Sequence, residues 1–290
     1  MPTRAETHVR RAMLRTRVRA GDARAALALA RCLERDPPRD QAAARRLYEV
    51  AADAGLPEAM HVLGVLLRDG AGGRRDPRGA VRWFEAGAKL GHAGAMLGLA
   101  EALFHGDGAP RDRTAAVKVY RRAAAEGLAA AMFQLGLCLR DGQGVDKDER
   151  AALRWLRRAA ARGHARAAYC VGHAYWWGRS GAPRDRARAA PFLLAAARKG
   201  DAEAALLAGN ALRTGAGVPR DLARAARLYG AAARAGHPEA MVRLAVSHRT
   251  GEGVARSAPA AWSWARRAAR SGSARARALL RSWKKARGGR

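Results

Sequence analysis

Seven glycines recur at nearly constant spacing along this chain of 290 residues. They are Gly55, Gly91, Gly127, Gly163, Gly200, Gly236 and Gly272. Five of the six intervals are 36 residues and the sixth is 37. Self-similarity at such a period indicates a stack of small supersecondary units, each contacting only its neighbours, rather than one globular core. The chain is therefore predicted to be a repeat protein whose surface holds other molecules.

Each repeat reads as two helices joined by a short loop. In residues 57–92, apolar residues from Met60 to Leu67 follow helical spacing and predict a first helix with a buried stripe. Gly70 breaks this helix, and Asp76 followed by proline is a typical N-cap and first residue of a second helix. One repeat is thus a helix hairpin.

The same positions recur in the other repeats. The predicted N-caps of the second helices are Asp40, Asp76, Asp112, Asp148, Asp185, Asp221 and Ser257. Two loop glycines recur as Gly70, Gly106, Gly142, Gly178, Gly215 and Gly251, and as Gly72, Gly108, Gly144, Gly181, Gly217 and Gly253. A row of alanines in the second helices predicts close helix packing: Ala44, Ala80, Ala116, Ala152, Ala189, Ala225 and Ala261.

The predicted fold is all-α: an α/α superhelical solenoid of seven helix-turn-helix repeats of about 36 residues with helical terminal caps. Residues 1–20 form a basic N-terminal capping helix and residues 274–290 a C-terminal capping helix with a basic tail. The repeats between them are predicted at 21–56, 57–92, 93–128, 129–164, 165–201, 202–237 and 238–273.

The motif A-M-x-x-L-G, then G-x-G-V, D-x-x-x-A and A-A-x-x-G, resembles the SEL-one-like repeat family, a branch of the tetratricopeptide-like solenoids. Residues 131–164 carry the best copy, and seven copies in phase cover about 250 residues. The resemblance implies an adaptor for protein complexes and signalling. A secreted branch of the family has paired cysteines in each repeat. Alanines stand at those rows here, as at Ala124 and Ala160, which argues against an extracellular protein.

The charge is extreme, with 55 basic and 25 acidic residues and a net charge of +30. Only six basic residues are lysines, so 49 are arginines, which suit bidentate capture of carboxylates or phosphates. Two interpretations stay open. The excess is either selected for acidic partners or inherited from a genome whose codons favour arginine and alanine.

Catalytic and cofactor motifs do not appear in the sequence. The G-x-G pairs lie between helices rather than after a strand, and no nucleophile, Walker or HExxH motif is present. Cys170 and His173 stand three apart without a second ligand pair, so no metal site is predicted. No cofactor, small-molecule substrate or enzymatic activity is expected. The absence of an apolar segment near the start and the odd number of cysteines favour a cytoplasmic location.

A second stripe on the first helices, about one hundred degrees from the core stripe, faces the concave groove by analogy with related solenoids. One row of it reads Arg68, Phe104, Arg140, Trp176, Arg213 and Arg249. Four arginines and two aromatics would engage an acidic, partly apolar partner segment. The alternative is an ordinary solvated face.

The fifth repeat differs chemically from the others, because its first helix adds Tyr169, His173 and Trp177 to Trp176. Trp176 and Trp177 stand at the positions of Arg68 and Asp69, at the predicted exposed end of the helix. They either mark an interaction site or pack against the longer loop GRSGAPRD.

The predicted function is therefore a non-enzymatic scaffold that docks a partner segment in the groove. The alternative is a polyanion-binding module for RNA, DNA or an anionic membrane surface, acting through its basic face and tails. The two ends, residues 1–20 and 274–290, carry net charges of +5 and +7. The basic tail residues are Lys284, Lys285, Arg287 and Arg290.

Overall fold

A computed structural model describes residues 4–36 and 39–288, and every regular element among them is an α-helix. The helices are α1 (Arg4–Arg19), α2 (Ala23–Arg35), α3 (Gln41–Asp53), α4 (Pro57–Asp69), α5 (Pro77–Lys89), α6 (Ala93–His105), α7 (Arg113–Ala125), α8 (Ala129–Asp141), α9 (Glu149–Ala161), α10 (Ala165–Trp177), α11 (Arg186–Arg198), α12 (Ala202–Thr214), α13 (Leu222–Arg234), α14 (Pro238–Thr250), α15 (Ala258–Arg270) and α16 (Ala274–Gly288). The all-α repeat fold is confirmed.

The chain forms two compact units, residues 1–148 and 149–290. The first contains α1 to α8 and the second α9 to α16. Within each unit the two helices of a hairpin pack together, as α4 does with α5, and the second helix packs against the next first helix, as α5 does with α6. Each unit is thus a stack of helices packed against their sequence neighbours. The boundary falls within the fourth repeat, so α8 belongs to the first unit and α9 to the second.

Aspartate caps begin the second helices, as predicted. The carboxylate of Asp76 accepts the backbone N–H of Gly79 at 2.9 Å, and the Ser257 hydroxyl accepts that of Ala260 at 3.3 Å. The same bond is made by Asp40, Asp112, Asp185 and Asp221. Each cap satisfies an N–H that the helix itself cannot bond.

Histidines cap three of the first helices. The Nδ1 atoms of His92, His164 and His237 accept the N–H of the residue three positions on, at 3.1, 3.1 and 3.3 Å. Asp201 makes the equivalent bond at α12 with a carboxylate, at 2.9 Å. An Nδ1 that accepts a hydrogen bond must be unprotonated, so these caps exist only on the neutral imidazole.

The cores consist of alanines around one large buried residue on each second helix except α15, which has Ala265 at that position. The alanine row is at most 1% exposed throughout, which confirms the predicted close packing. Phe84 is fully buried, and its ring fills the space left by Gly64 on α4 and Gly98 on α6. A Cβ at Gly98 would lie 2.6 Å from that ring. These helix glycines therefore provide room for the neighbouring ring.

Two glycine rows between helices serve different physical purposes. Gly91 and its six equivalents have φ values between 82° and 94°. At six of these seven positions, Gly55, Gly91, Gly163, Gly200, Gly236 and Gly272, an added Cβ would meet no atom within 4 Å. Gly108 has φ 83°, and a Cβ there would overlap the carbonyl oxygen of Pro77, the first residue of the preceding second helix. The first row needs only the left-handed backbone, whereas the second also needs the empty space.

The first hairpin replaces the glycine cap with a side chain from α1. Helix α2 ends at Asp36 with an extended backbone, where later first helices end at a left-handed glycine. Arg11 is 7% exposed and donates from Nη2 to the carbonyls of Cys32 and Asp36, at 2.8 and 2.5 Å. The guanidinium thereby bonds two carbonyls at the end of α2, of which that of Cys32 also accepts the Asp36 N–H, and fixes α1 on the stack.

The two glycine rows predict different responses to one substitution. Asparagine tolerates the left-handed region, so Gly91→Asn should lower the free energy of unfolding by about 1 kcal/mol or less. Gly108→Asn adds overlap with a backbone carbonyl and should cost about 3 kcal/mol. Urea denaturation of both variants measures this. Equal losses would show that space at Gly108 is not limiting.

The histidine caps predict sensitivity to mild acid. Burial lowers the pKa of His92 and of His164 below the ordinary 6.5. A lowered pKa means that the unfolded chain takes up protons first, so stability is fully present above about pH 6.5 and falls below it. His92→Asp with His164→Asp, which copies the Asp201 cap, should recover about 1 to 2 kcal/mol at pH 5. Thermal melts at pH 7.5 and 5 compare the two proteins, and parallel pH dependences would contradict the prediction.

Candidate interaction surface on the first helices

The predicted binding row lies on the first helices of the hairpins, on α4, α6 and α8 in one unit and α10, α12 and α14 in the other. Within the units, α4 packs beside α6 and α10 beside α12. The exposed sides of these helices are called the first-helix surface below. Each unit presents its own part of this surface.

In the first unit, the predicted arginines are bonded to carboxylates of the same chain. Arg68 donates from Nε to Asp69 at 2.8 Å and from Nη1 to Glu101 on α6 at 3.2 Å. Arg140 forms a two-pronged pair with Asp141 at 2.7 and 2.8 Å. These guanidinium groups are therefore already neutralised, and their hydrogen bonds to Asp69 and Asp141 lower the pKa of both carboxyls.

Phe104, the remaining predicted residue of this unit, is half-buried. Its ring centre lies 6.3 Å from that of the buried Tyr120, and the Arg113 guanidinium stands 5.1 Å from its centre. The cation covers one side of the ring. Phe104 therefore belongs partly to the packing of α6 on α7.

In the second unit, the row arginines have no carboxylate partner among the described residues. Arg213 lies beside the hydroxyl of Tyr229, whose pKa is raised by burial although the guanidinium opposes this. Arg249 stands 5.2 Å above the centre of the Trp283 ring. Both side chains are partly exposed. The capacity to accept a partner's carboxylate is thus greater here than at Arg68 and Arg140.

Of the two interpretations given above for Trp176, the structure supports packing rather than an exposed position. Its side chain is 6% exposed, and the Arg186 guanidinium stands 4.9 Å from its ring centre. Arg186 directly follows the longer loop, in which Ala182 is also buried. Trp176 therefore has a packing role, and the burial of its ring under a cation explains why it replaces arginine.

Trp177 remains exposed, at 46%, and continues an aromatic stripe along α10. We use this term for Tyr169, His173 and Trp177, which are spaced four apart. Ring centres are 5.6 Å apart between Tyr169 and His173 and 6.3 Å apart between His173 and Trp177. Residues four apart share one helix face, so the three rings form a continuous strip.

Charges of both signs surround the aromatic stripe. Arg166 stands 5.0 Å over the Tyr169 ring and reaches Asp201 at 3.2 Å, while Glu203 pairs with His237 at 3.2 Å. Burial, with help from Arg179, lowers the pKa of His173, so its ring is neutral at pH 7. The stripe is therefore an apolar strip between fixed charges.

The predicted basic tail is only partly described. Lys284 and Lys285 are exposed on α16, whereas the side chain of Arg287 and all of Arg290 lie outside the described residues. Trp283 beside them is buried edge-on against Trp262, with ring centres 5.6 Å apart. Helix α16 thus covers the apolar side of the last hairpin.

A charge difference between the two helices of a hairpin was missed by sequence reasoning. In the second to seventh repeats, the first helices carry six basic and six acidic residues, while the second helices carry twenty basic and two acidic. The first hairpin, α2–α3, does not show this split. Counting charges helix by helix, rather than along the chain, would have found it.

Other chemistry is sparse among residues 4–36 and 39–288. No three histidine, cysteine or acidic side chains there lie close enough to hold a metal ion. Cys32, Cys138 and Cys170 are free thiols, and burial raises the pKa of Cys138 to about 11. No helix in this part of the chain is long and apolar enough to cross a membrane.

Paired helices with glycine caps, alanine cores and one loop per hairpin place the chain in the class of α/α repeat solenoids. Seven consecutive segments match the Sel1 repeat, at residues 23–56, 57–92, 93–128, 129–164, 165–201, 202–237 and 238–273. The chain belongs to the Sel1 repeat family, whose members generally serve as protein-interaction scaffolds. Comparison with curated proteins gives no match.

Solved structures share the fold. A Sel1 repeat protein from Oxalobacter formigenes is 30% identical, with a TM-score of 0.73, and the alignment covers 94% of this chain and 79% of that one. The protective antigen c5321 of uropathogenic Escherichia coli, which displays an SLR fold, is 26% identical with a TM-score of 0.74. That alignment covers 93% of this chain and 66% of the antigen.

The burial difference between the adjacent tryptophans gives a direct prediction. Trp176→Ala removes a buried ring and should lower the free energy of unfolding by about 3 kcal/mol. Trp177→Ala removes an exposed ring and should change it by about 0.5 kcal/mol or less. Chemical denaturation measures both. A large loss in the Trp177 variant would mean that this ring also belongs to the core.

Proposed function

We propose that this Sel1 repeat protein is a non-enzymatic scaffold that docks a segment of a partner protein on the first-helix surface of its second unit. The aromatic stripe on α10 is the observation that carries the proposal. Exposed aromatic rings on a rigid helix supply large contact area at low entropic cost, as at the centres of protein interfaces.

The family supports the general part of this proposal. Sel1 repeat proteins and structural relatives with the fold generally bind other proteins rather than catalyse reactions. A stack of hairpins offers one similar helix face per repeat, and such a surface fits an extended or helical segment. The family therefore supports binding as the proposed function.

Charge placement supports an acidic partner segment next to the aromatic stripe. Arg213 and Arg249 have no carboxylate partner among the described residues, in contrast to Arg68 and Arg140. A segment with an apolar anchor for Trp177 and carboxylates for these two arginines would match the surface. Contacts at Arg68 and Arg140 would be weaker, because their bound carboxylates must first be displaced. At Phe104, the Arg113 guanidinium already covers one side of the ring.

Two substitutions test this assignment once a partner has been captured from nuclease-treated lysate and purified. Trp177→Ala removes the exposed anchor and should weaken the partner's affinity at least tenfold. Arg213→Gln removes one charge at nearly constant length and should weaken it about threefold to tenfold. Titration calorimetry on the purified pair gives both values.

The control variants change exposed residues of similar chemistry at other positions. Leu90→Ala is the control for Trp177→Ala, because Leu90 is also a large apolar side chain and is 55% exposed at the end of α5. Arg227→Gln on α13 is the charge control, and Arg140→Gln tests the neutralised arginine. A partner whose affinity is unaffected by Trp177→Ala and Arg213→Gln docks elsewhere, and the proposed surface would be wrong.

A further inference from the structure

We infer that the second helices of the second unit bind single-stranded nucleic acid, in a site centred between α9 and α11. This activity is separate from the docking surface proposed above, since it uses the opposite helix of each hairpin. It rests on three observations: the charge split between helices, a cavity walled by arginines, and a row of half-buried aromatic rings.

The basic charge is concentrated in one unit and on one kind of helix. Residues 149–290 contain 30 basic and seven acidic residues, whereas residues 1–148 contain 25 and 18. Of the seven acids, three cap helices α11, α12 and α13, and Glu203 and Glu239 pair with neighbouring basic side chains. Little acidic charge is left to neutralise the second helices.

An open cavity of about 380 Å³ lies between α9 and α11. Its walls are Arg154, Arg157, Arg158, Ala161 and Phe192. All three arginines are exposed, and none makes a hydrogen bond or ion pair with another described residue. Three unneutralised guanidinium groups around one opening form a binding site for phosphates.

Aromatic side chains accompany these arginines at one position of the second helices. The position holds Trp155 on α9, Phe192 on α11 and Trp264 on α15, all three half-buried, while α13 has Leu228 there. The guanidinium of Arg158 stands 4.8 Å from the Trp155 ring centre, and that of Arg267 stands 5.4 Å from the Trp264 ring centre. Phe192 is held flat against Tyr175, with ring centres 6.4 Å apart and planes 19° apart.

This combination fits single strands better than other polyanions. Proteins that bind single strands pair a basic groove for the backbone with aromatic or guanidinium planes on which bases stack. An acidic protein segment would need only the arginines of this site, whereas bases would also use the ring and guanidinium planes. A membrane surface would need apolar groups free to insert, whereas the indoles of Trp155 and Trp264 lie beneath cations.

A comparison with α7 of the first unit shows why the site is centred on α9. Lys118, Arg121 and Arg122 on α7 stand one repeat before Arg154, Arg157 and Arg158, and they are equally exposed. At the aromatic position, however, α7 has Val119. The two helices therefore carry the same three charges with and without an aromatic ring, which provides a matched control within the chain.

The test uses a fluorescein-labelled single-stranded 20-mer RNA. Its affinity for the full chain is measured by fluorescence anisotropy at salt concentrations between 50 and 300 mM. Changing Arg154, Arg157 and Arg158 together to alanine should weaken binding at least tenfold. Loss of three phosphate contacts should also make the negative slope of log K against log salt shallower by about 2. The triple alanine variant of Lys118, Arg121 and Arg122 should weaken binding about threefold or less.

The contribution of stacking is tested by Phe192→Leu, which keeps an apolar residue of similar size. It should weaken RNA binding about tenfold and leave heparin binding, which needs no stacking, unchanged. Equal losses from the two triple variants would overturn the proposed centre. Equal effects of Phe192→Leu on RNA and heparin, or tighter binding to phosphatidylserine vesicles than to RNA, would overturn single-stranded nucleic acid as the ligand.

Discussion

The close approach of each loop glycine to the preceding second helix is the contact on which the repeat arrangement depends. At Gly108 and Gly253, a single methyl group would overlap a carbonyl oxygen of the neighbouring hairpin, at Pro77 and Leu222. Because the two backbones touch, the spacing between hairpins is set at this point rather than by side chains. The longer repeat is looser, since a Cβ at Gly181 would lie 3.0 Å from the nearest atom of Glu149. Helix rows stay in register along each unit because of these contacts.

Regular spacing turns a small difference in composition between two helices into two distinct surfaces. The first helices in repeats two to seven carry as many acids as bases, and several of these charges neutralise one another, as at Arg68 and Glu101. The second helices are almost without acids. A codon preference for arginine would enrich both helices and would deplete acids in neither. The observed split therefore favours selection of a basic surface, and it separates the polyanion hypothesis from the docking hypothesis in space.

Local chemistry explains which parts of the structure were predictable. The boundaries of the hairpins follow from helix caps, and each cap depends on residues only a few positions apart in the sequence. Asp76, for example, bonds the N–H of Gly79, and Gly91 ends α5 with a left-handed backbone. The histidine caps were recognised as repeat positions but not as hydrogen-bond acceptors, since an imidazole is a rare cap. For Trp176, the sequence left two possibilities open: an exposed interaction site, or packing against the longer loop. Its burial beneath Arg186 depends on a residue ten positions later, beyond a loop of unusual length, which helical spacing does not describe.

The sequence by itself determined the class of fold, the number of hairpins, their caps and their alanine cores, because each is encoded within one repeat and then repeated. It also contained the charge split, which is a matter of counting. Only the tertiary structure decided which groups the arginines contact across helices. Arg68 and Arg140 each bond the aspartate that follows them in the sequence, whereas Arg213 is followed by a threonine. The second bond of Arg68, to Glu101, depends on the packing of α4 beside α6. Ion pairing and burial are properties of the packed arrangement, so identical residues in one sequence row acquire different chemistry.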